Sequence, residues 1–246
     1  VTLLSVNINK IATLRNSRGG NQPDVCEAAK LCIEAGCGGI TVHPRPDQRH
    51  IRPDDVYALN KFLDDIELNI EGNPWASAQG SYPGFLKIVE RVRPTQCTLV
   101  PDNETQLTSD HGFNLKNDSN RLKPIIEQLK NLGCRISLFM DAGSPDIEEA
   151  ADIGADRIEI YTGPYAYAFA TDNSQKELDK CIETAEKARK AGLSVNAGHD
   201  LNQTNLRMLK QAIPYLAEVS IGHALISEAI YDGLASTVQA YLHLLK

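Results

Sequence analysis

Ile40-Thr-Val-His-Pro-Arg-Pro-Asp-Gln-Arg-His50 reads as a short strand that ends in chemistry. Ile40 and Val42 alternate with Thr41 and His43, so one pair turns toward a hydrophobic layer and the other pair away from it. Pro44 and Pro46 then stop the strand, because neither has an N–H to give to a ladder. Arg45, Arg49 and His50 follow as a cationic loop suited to an anion such as a phosphate.

The same figure recurs along the chain. Strand-like segments at 4–9, 39–43, 68–71, 97–100, 135–140, 157–161, 194–198 and 219–222 are each followed by a loop and a helical pattern. The helical patterns fall at 24–36, 53–65, 82–92, 119–132, 145–153, 173–191, 203–213 and 224–244. Gly36, Gly133, Gly154 and Gly192 stand where helix C-caps belong, and Pro53, Pro124 and Pro145 suit first turns. Eight βα units predict an α/β protein of the (β/α)₈ TIM barrel type, a single domain over 1–246.

Parity within the strands separates this from an open sheet. Val6, Ile8, Ile40, Val42, Leu68, Ile70, Cys97, Leu99, Ile136, Leu138, Ile158, Ile160, Val195, Ala197, Val219 and Ile221 form one apolar set, expected to face the helices. The other parity carries Asn7, Asn9, Thr41, His43, Asn69, Glu71, Thr98, Ser137, Arg157, Glu159, Tyr161, Asn196 and Ser220. An open doubly wound sheet buries both faces and has no reason to put polar groups on one parity throughout, whereas a barrel with an active site at its mouth does.

Composition bounds the partners. A net charge of −7 disfavours nucleic acid and acidic membranes, although residues 1–52 carry seven Lys and Arg against four Asp and Glu. No apolar run is long enough to span a bilayer and the first residues look like a strand rather than a signal, so a cytoplasmic protein is expected. The six cysteines lack metal spacing and read as buried thiols.

In a barrel the strand ends meet on one face, which would gather Asn7, Asn9, Lys10, His43, Arg45, Glu71, Glu159, Thr162, His199 and His223. Carboxylates and imidazoles together suit repeated proton transfer near neutral pH. A lone histidine in such a place is as often structural, and His111 and His243 are read that way. The Gly-His pairs after strands seven and eight allow backbone to approach a phosphate. No H-x-H or H-E-x-x-H pattern occurs, so neither metal nor cofactor is expected. The long segment 101–118 suits a lid or binding loop.

Val6-Asn-Ile-Asn-Lys-Ile-Ala-Thr-Leu-Arg-Asn-Ser-Arg-Gly19, Thr41-Val-His-Pro-Arg-Pro-Asp-Gln-Arg-His-Ile51, Asn69-Ile-Glu71, Leu99-Val-Pro101, Ile158-Glu-Ile-Tyr-Thr-Gly163, Val195-Asn-Ala-Gly-His199 and Ile221-Gly-His223 together resemble the pyridoxine 5′-phosphate synthase family, in order and over nearly the whole chain. The resemblance implies condensation of 1-deoxy-D-xylulose 5-phosphate with 3-amino-2-oxopropyl phosphate to pyridoxine 5′-phosphate, phosphate and water, in a cytosolic homo-octamer that needs no metal. It implies that His43 and Glu71 accept protons, that His199 donates one and that Glu159 supports them. Asn7, Arg18, Gly222 and His223 would hold the amino-ketone phosphate, and Arg45, His50 and Thr108 the pentulose phosphate. Asn9-Lys10 stands where the family commonly has Asp-His, and Asp200 where it usually has glycine, and Asn9, Lys10 and Asp200 are counted among the substrate-binding candidates. The segment 73–82 is longer than in the shortest members.

Overall fold

Eight parallel strands close on themselves in chain order in the computed structural model, which describes residues 1–246 except Asp64 and Glu104. The strands are β1 (Leu3–Asn7), β2 (Gly39–Val42), β3 (Glu67–Gly72), β4 (Gln96–Leu99), β5 (Arg135–Asp141), β6 (Arg157–Tyr161), β7 (Ser194–Gly198) and β8 (Glu218–Ile221). Around them lie α1 (Asn9–Asn16), α2 (Val25–Glu34), α3 (Pro53–Leu59), α4 (Phe85–Val92), α5 (Leu115–Asn131), α6 (Ile147–Asp152), α7 (Gly163–Ala168), α8 (Ser174–Lys190), α9 (Leu206–Ala212), α10 (His223–Asp232) and α11 (Leu234–Leu244). This is the (β/α)₈ barrel expected from the repeat.

The apolar parity faces the helices as expected, and none of its sixteen members named above is more than 2% exposed. Removing that layer from water is the main force closing helices onto strands. Gly36, Gly133, Gly154 and Gly192 all adopt positive φ, the backbone a helix needs to turn into the next strand.

Several boundaries move. β1 ends at Asn7, so Asn9 opens a helix instead of closing a strand, and 9–16, which carries no clear helical pattern, is α1. The reason is Arg15, which is 1% exposed: a buried cation breaks the apolar stripe by which helices are recognised. The unforeseen α7 begins Gly163-Pro164, a pair that also reads as a turn. The stretch 224–244 is two helices, because Gly233 at φ 82 leaves the helical region. The helix expected over 53–65 stops at Leu59, and Asp64 in its tail lies outside the described residues, as does Glu104 in the long loop. Pro124 is not in a first turn but inside α5, on its exposed side, where water can take the carbonyl its ring leaves unpaired. Pro145 precedes the cap of α6 rather than entering it.

The barrel interior is hydrophilic, unlike the branched apolar filling usual for this fold. One chain of hydrogen bonds runs Ser5 to Thr41 (2.6 Å), Asn69 to Thr41 (3.3 Å) and Thr98 to Asn69 (3.0 Å). Toward the strand starts lies an ionic layer. Arg135 pairs with Glu67 and donates to Gln96 at 2.9 Å, while Arg157 lies 3.6 Å from Glu218 and donates to Asn196 at 3.0 Å. Buried Glu218 lies near both arginines and accepts from Gln96 at 3.2 Å, so its charge is shared among several partners. No described helix is long and apolar enough to cross a membrane.

Candidate active site

The opposite end of the barrel, where the strands finish, holds a cavity of about 400 Å³, ample for a small phosphorylated molecule. Every expected site residue lines it except Arg18, which is exposed and stands away from the cavity of its own chain. Thr162, grouped with the strand ends, acts underneath: its hydroxyl reaches the carbonyls of Gly198 and His199 at 2.6 and 2.7 Å.

The β1 end and α1 bring in Asn7, Asn9 and Lys10. The side-chain carbonyl of Asn7 receives the Asn9 N–H at 3.1 Å, and the Asn9 side chain receives the His43 N–H at 2.9 Å. Those two bonds fix where the loop after β2 departs. The His43 ring, 5% exposed, puts Nδ1 3.8 Å from the Glu71 carboxylate, which also accepts from Asn7 Nδ2 at 3.3 Å.

Burial and the nearby Arg45, His50 and Arg49 hold His43 well below the ordinary histidine range, which favours the neutral imidazole. Burial, together with the charges of Asp102 and Glu218, pushes Glu71 up to about 8. Burial beside Glu71 and Glu218 likewise pushes Glu159 well above the carboxylate range, and its Oε2 has no hydrogen-bond partner. Gly198 is required here, because a Cβ would overlap the Glu159 carboxyl.

His199 closes the far wall. Its Nε2 lies 2.8 Å from Thr108 Oγ1, and its Nδ1 2.8 Å from Asp200 Oδ2. Tyr161 meets its ring edge-on at 5.2 Å, with Phe139 behind at 6.5 Å. The hydrogen bond from His199 holds Asp200 below the usual carboxylate range, helped by the charges of His199, His223 and Lys10.

Anion-holding groups frame the two sides. Gly222 caps α10, so unpaired backbone N–H groups of that helix open at the cavity, and Gly222 lies so near Asn7 that a Cβ would come within 2.9 Å of the asparagine Cβ. On the other side Arg45 pairs with buried Asp102, and Arg49 donates to the Gln106 carbonyl at 2.9 Å. Burial and the Arg45, Lys10 and Arg49 charges bring His50 down to about 3, and its Nδ1 accepts the Ile51 N–H at 2.9 Å, which leaves the ring proton on Nε2.

The sequence did not point to the residues that hold this loop. Arg15 grips Asp55 (2.9 Å) and the His50 carbonyl (3.2 Å), pinning the cationic loop to α1. Asp102, with Ser109 at 2.8 Å, anchors Arg45 to the loop after β4. The segment 73–82 braces the same region: Gln48 donates to Ser81 at 2.7 Å, and Trp75 packs against Phe113 and under Arg121. Among the described residues, no group of three or more His, Cys, Asp and Glu side chains is arranged to hold a metal ion.

A family model described as pyridoxal phosphate biosynthesis protein PdxJ matches residues 4–246. The chain belongs to that family. Among PdxJ relatives, the pyridoxine 5′-phosphate synthase of Xanthomonas campestris pv. campestris (strain B100) is 58% identical over 243 residues, covering 98% of this chain and 95% of the relative. The pyridoxine 5′-phosphate synthase of Xylella fastidiosa (strain 9a5c) is 53% identical over 246 residues, covering 99% and 95%. Solved structures share the PdxJ chain's fold at low identity. A Thermotoga maritima phosphoribosylanthranilate isomerase superposes with a TM-score of 0.60 at 11% identity, covering 100% of this chain and 98% of that one. The phosphoribosyl anthranilate isomerase of Thermococcus kodakaraensis gives 0.61 at 11%, covering 100% and 99%.

Proposed function

We propose that this cavity performs the ring-closing condensation with His43 and Glu71 as proton acceptors, His199 as donor and Glu159 as supporting carboxyl. Family membership makes the chain an enzyme of pyridoxine 5′-phosphate synthesis, working on 1-deoxy-D-xylulose 5-phosphate and 3-amino-2-oxopropyl phosphate. The observation that carries the assignment of roles is the opposition of two environments. A neutral imidazole and a carboxyl titrating at about 8 share one wall, and an imidazole bonded to an ionised aspartate stands on the other.

The amine of one substrate adds to the ketone of the other, and dehydration, loss of phosphate and ring closure follow. Each step moves a proton on or off carbon, nitrogen or oxygen. A base is most useful when its pKa lies near the working pH, which fits Glu71. His43, held neutral, takes protons through a ring nitrogen near the same carboxylate. The sequence of additions and eliminations calls for no cofactor and no metal.

The two phosphates divide between the two frames. The α10 amino terminus at Gly222-His223, with Asn7, suits the amino-ketone phosphate, and Arg18 would join them from a neighbouring subunit. Arg45, His50 and Thr108 suit the pentulose phosphate, with Asn9 and Lys10 beside it. The Arg45 guanidinium has donors left beyond those given to Asp102 and Gln106. A homo-octamer in the cytoplasm belongs to the same reading. Exposed Leu14, Leu31, Ile230 and Tyr231 offer apolar surface for assembly.

Turnover of the two substrates by the purified protein, followed by chromatographic detection of pyridoxine 5′-phosphate, tests this function. Wild-type protein that forms no product, or Glu71→Gln protein that forms it at the wild-type rate, overturns it.

A further inference from the structure

We propose that Asp200 is a positioning residue for His199, keeping a proton on Nδ1 so that Nε2 is the nitrogen that exchanges protons with substrate. This rests on the reading of His199 as a proton donor and adds what fixes its orientation and charge.

The backbone is the first support. Neighbouring side chains in a strand point to opposite faces, so His199 and Asp200 could not meet if β7 simply ran on. Instead both residues adopt left-handed φ values, 81 and 60, which curl the chain until Oδ2 lies 2.8 Å from Nδ1. The curl is held from both sides. Thr162 donates to the carbonyls of Gly198 and His199, and Asn205 Nδ2 donates to the Asp200 carbonyl at 3.3 Å. A histidine seldom takes this conformation without a constraint, and here the constraint joins ring to carboxylate.

Chemistry is the second support. An ionised carboxylate only accepts, so Nδ1 must carry hydrogen. The other nitrogen, Nε2, faces Thr108 and the cavity. It accepts from the threonine hydroxyl when the ring is neutral, and donates when the ring is charged. The groups facing the pair are Lys10 from α1, His223 from α10, Tyr161 from β6 and Thr108 from the loop after β4. Other carboxyls lie nearby: Glu159, under Gly198, whose burial beside Glu71 and Glu218 favours its neutral form, and Asp110 and Asp141, which act on the Tyr161 hydroxyl. Asp200 is the one bonded directly to the ring, which makes it the counter-charge. The arrangement does for a proton donor what a buried aspartate does for the histidine of a hydrolytic triad.

The test combines kinetics and ¹⁵N NMR of histidine-labelled enzyme. In wild type at high pH, where His199 is neutral, its ring should be the Nδ1–H tautomer. The Nε2–H tautomer overturns the proposal without any variant. Asp200→Asn, whose side chain tolerates left-handed backbone, should lower kcat at least about tenfold with both KM values changed less than about threefold. The alkaline limb of its pH profile should move down by about one unit, since the imidazolium loses its counter-charge. Asp200→Glu should restore part of that limb. Wild-type kcat and an unmoved limb in folded Asp200→Asn, or a change in KM alone, reject the positioning role. If His199→Asn is inactive while Asp200→Asn is wild type, this inference fails and the donor reading stands. If His199→Asn is fully active, the donor reading itself fails.

Discussion

Replacing Glu71 by glutamine should abolish turnover and stabilise the fold at the same time. The carboxyl titrates at about 8 in the folded protein because it is buried near Asp102 and Glu218, against an ordinary value of 4.5. The folded state therefore holds this proton more tightly than the unfolded chain does. Stability from this group is greatest below pH 4.5, falls as the pH rises toward 8, and stays at its minimum above that. At 1.36 kcal/mol per pH unit, the gap sets a ceiling of ~5 kcal/mol on the cost at high pH. Charge coupling to Glu159 and local relaxation reduce the expected gain to about 1 to 3 kcal/mol. Glutamine mimics the protonated acid and never ionises. For a chain of this length 1 kcal/mol moves Tm by about 2 to 4 °C, so Glu71→Gln should melt about 2 to 12 °C above wild type at pH 9, the gap closing near pH 4.5. Thermal melts at several pH values measure this. Turnover should drop by at least about a hundredfold, and the wild-type rate should climb with pH toward 8 as the acceptor ionises. A variant that melts at or below the wild-type temperature at pH 9, with native circular dichroism, refutes the account of Glu71 as a buried acid.

Lys10→Ala should raise the KM for the pentulose phosphate more than it lowers kcat, and an unchanged KM makes Lys10 a bystander. Arg18→Ala mixed with Glu71→Gln should recover activity if Arg18 completes a neighbour's site; a dead mixture with subunit exchange demonstrated puts Arg18 out of that role. His199→Asn should bind both substrates and accumulate their covalent adduct before ring closure, seen by rapid-quench mass spectrometry; binding without any adduct moves His199 to the first step. Gly198→Ala should lose about 1 to 3 kcal/mol in urea unfolding, because its Cβ would overlap the Glu159 carboxyl and approach the Ser220 carbonyl to 3.1 Å.

The barrel was legible because burial leaves a periodic trace. Residues on the helix-facing parity had to be apolar, and the two-residue period survives in every strand. The site was legible for a related reason: His43, Glu71 and His199 are costly at strand ends and converge once the barrel closes. What escaped notice depends on pairings between distant side chains. Arg15 looks like a surface residue until Asp55, forty positions on, is seen to neutralise it. Asp102 has no sequence mark that ties it to Arg45. Asp200 stands next to His199 in the sequence, but a direct bond between the two side chains exists only because two successive residues adopt left-handed backbone.

The hydrophilic barrel interior has a consequence for how this protein can change. In a hydrocarbon core a Leu can drift to Ile or Met one step at a time, each exchange costing little. Glu67, Arg135, Arg157 and Glu218 allow fewer such small steps, since each helps neutralise another and buried Glu218 leans on both arginines, so that losing Arg157 leaves its charge short of a partner. Substitutions there have to come in compensating sets. Sequence drift and directed evolution alike should therefore find the helix-facing side of these strands pliable and the inner side nearly frozen. An engineer redesigning this barrel should treat the inner layer as one unit to be kept or replaced whole.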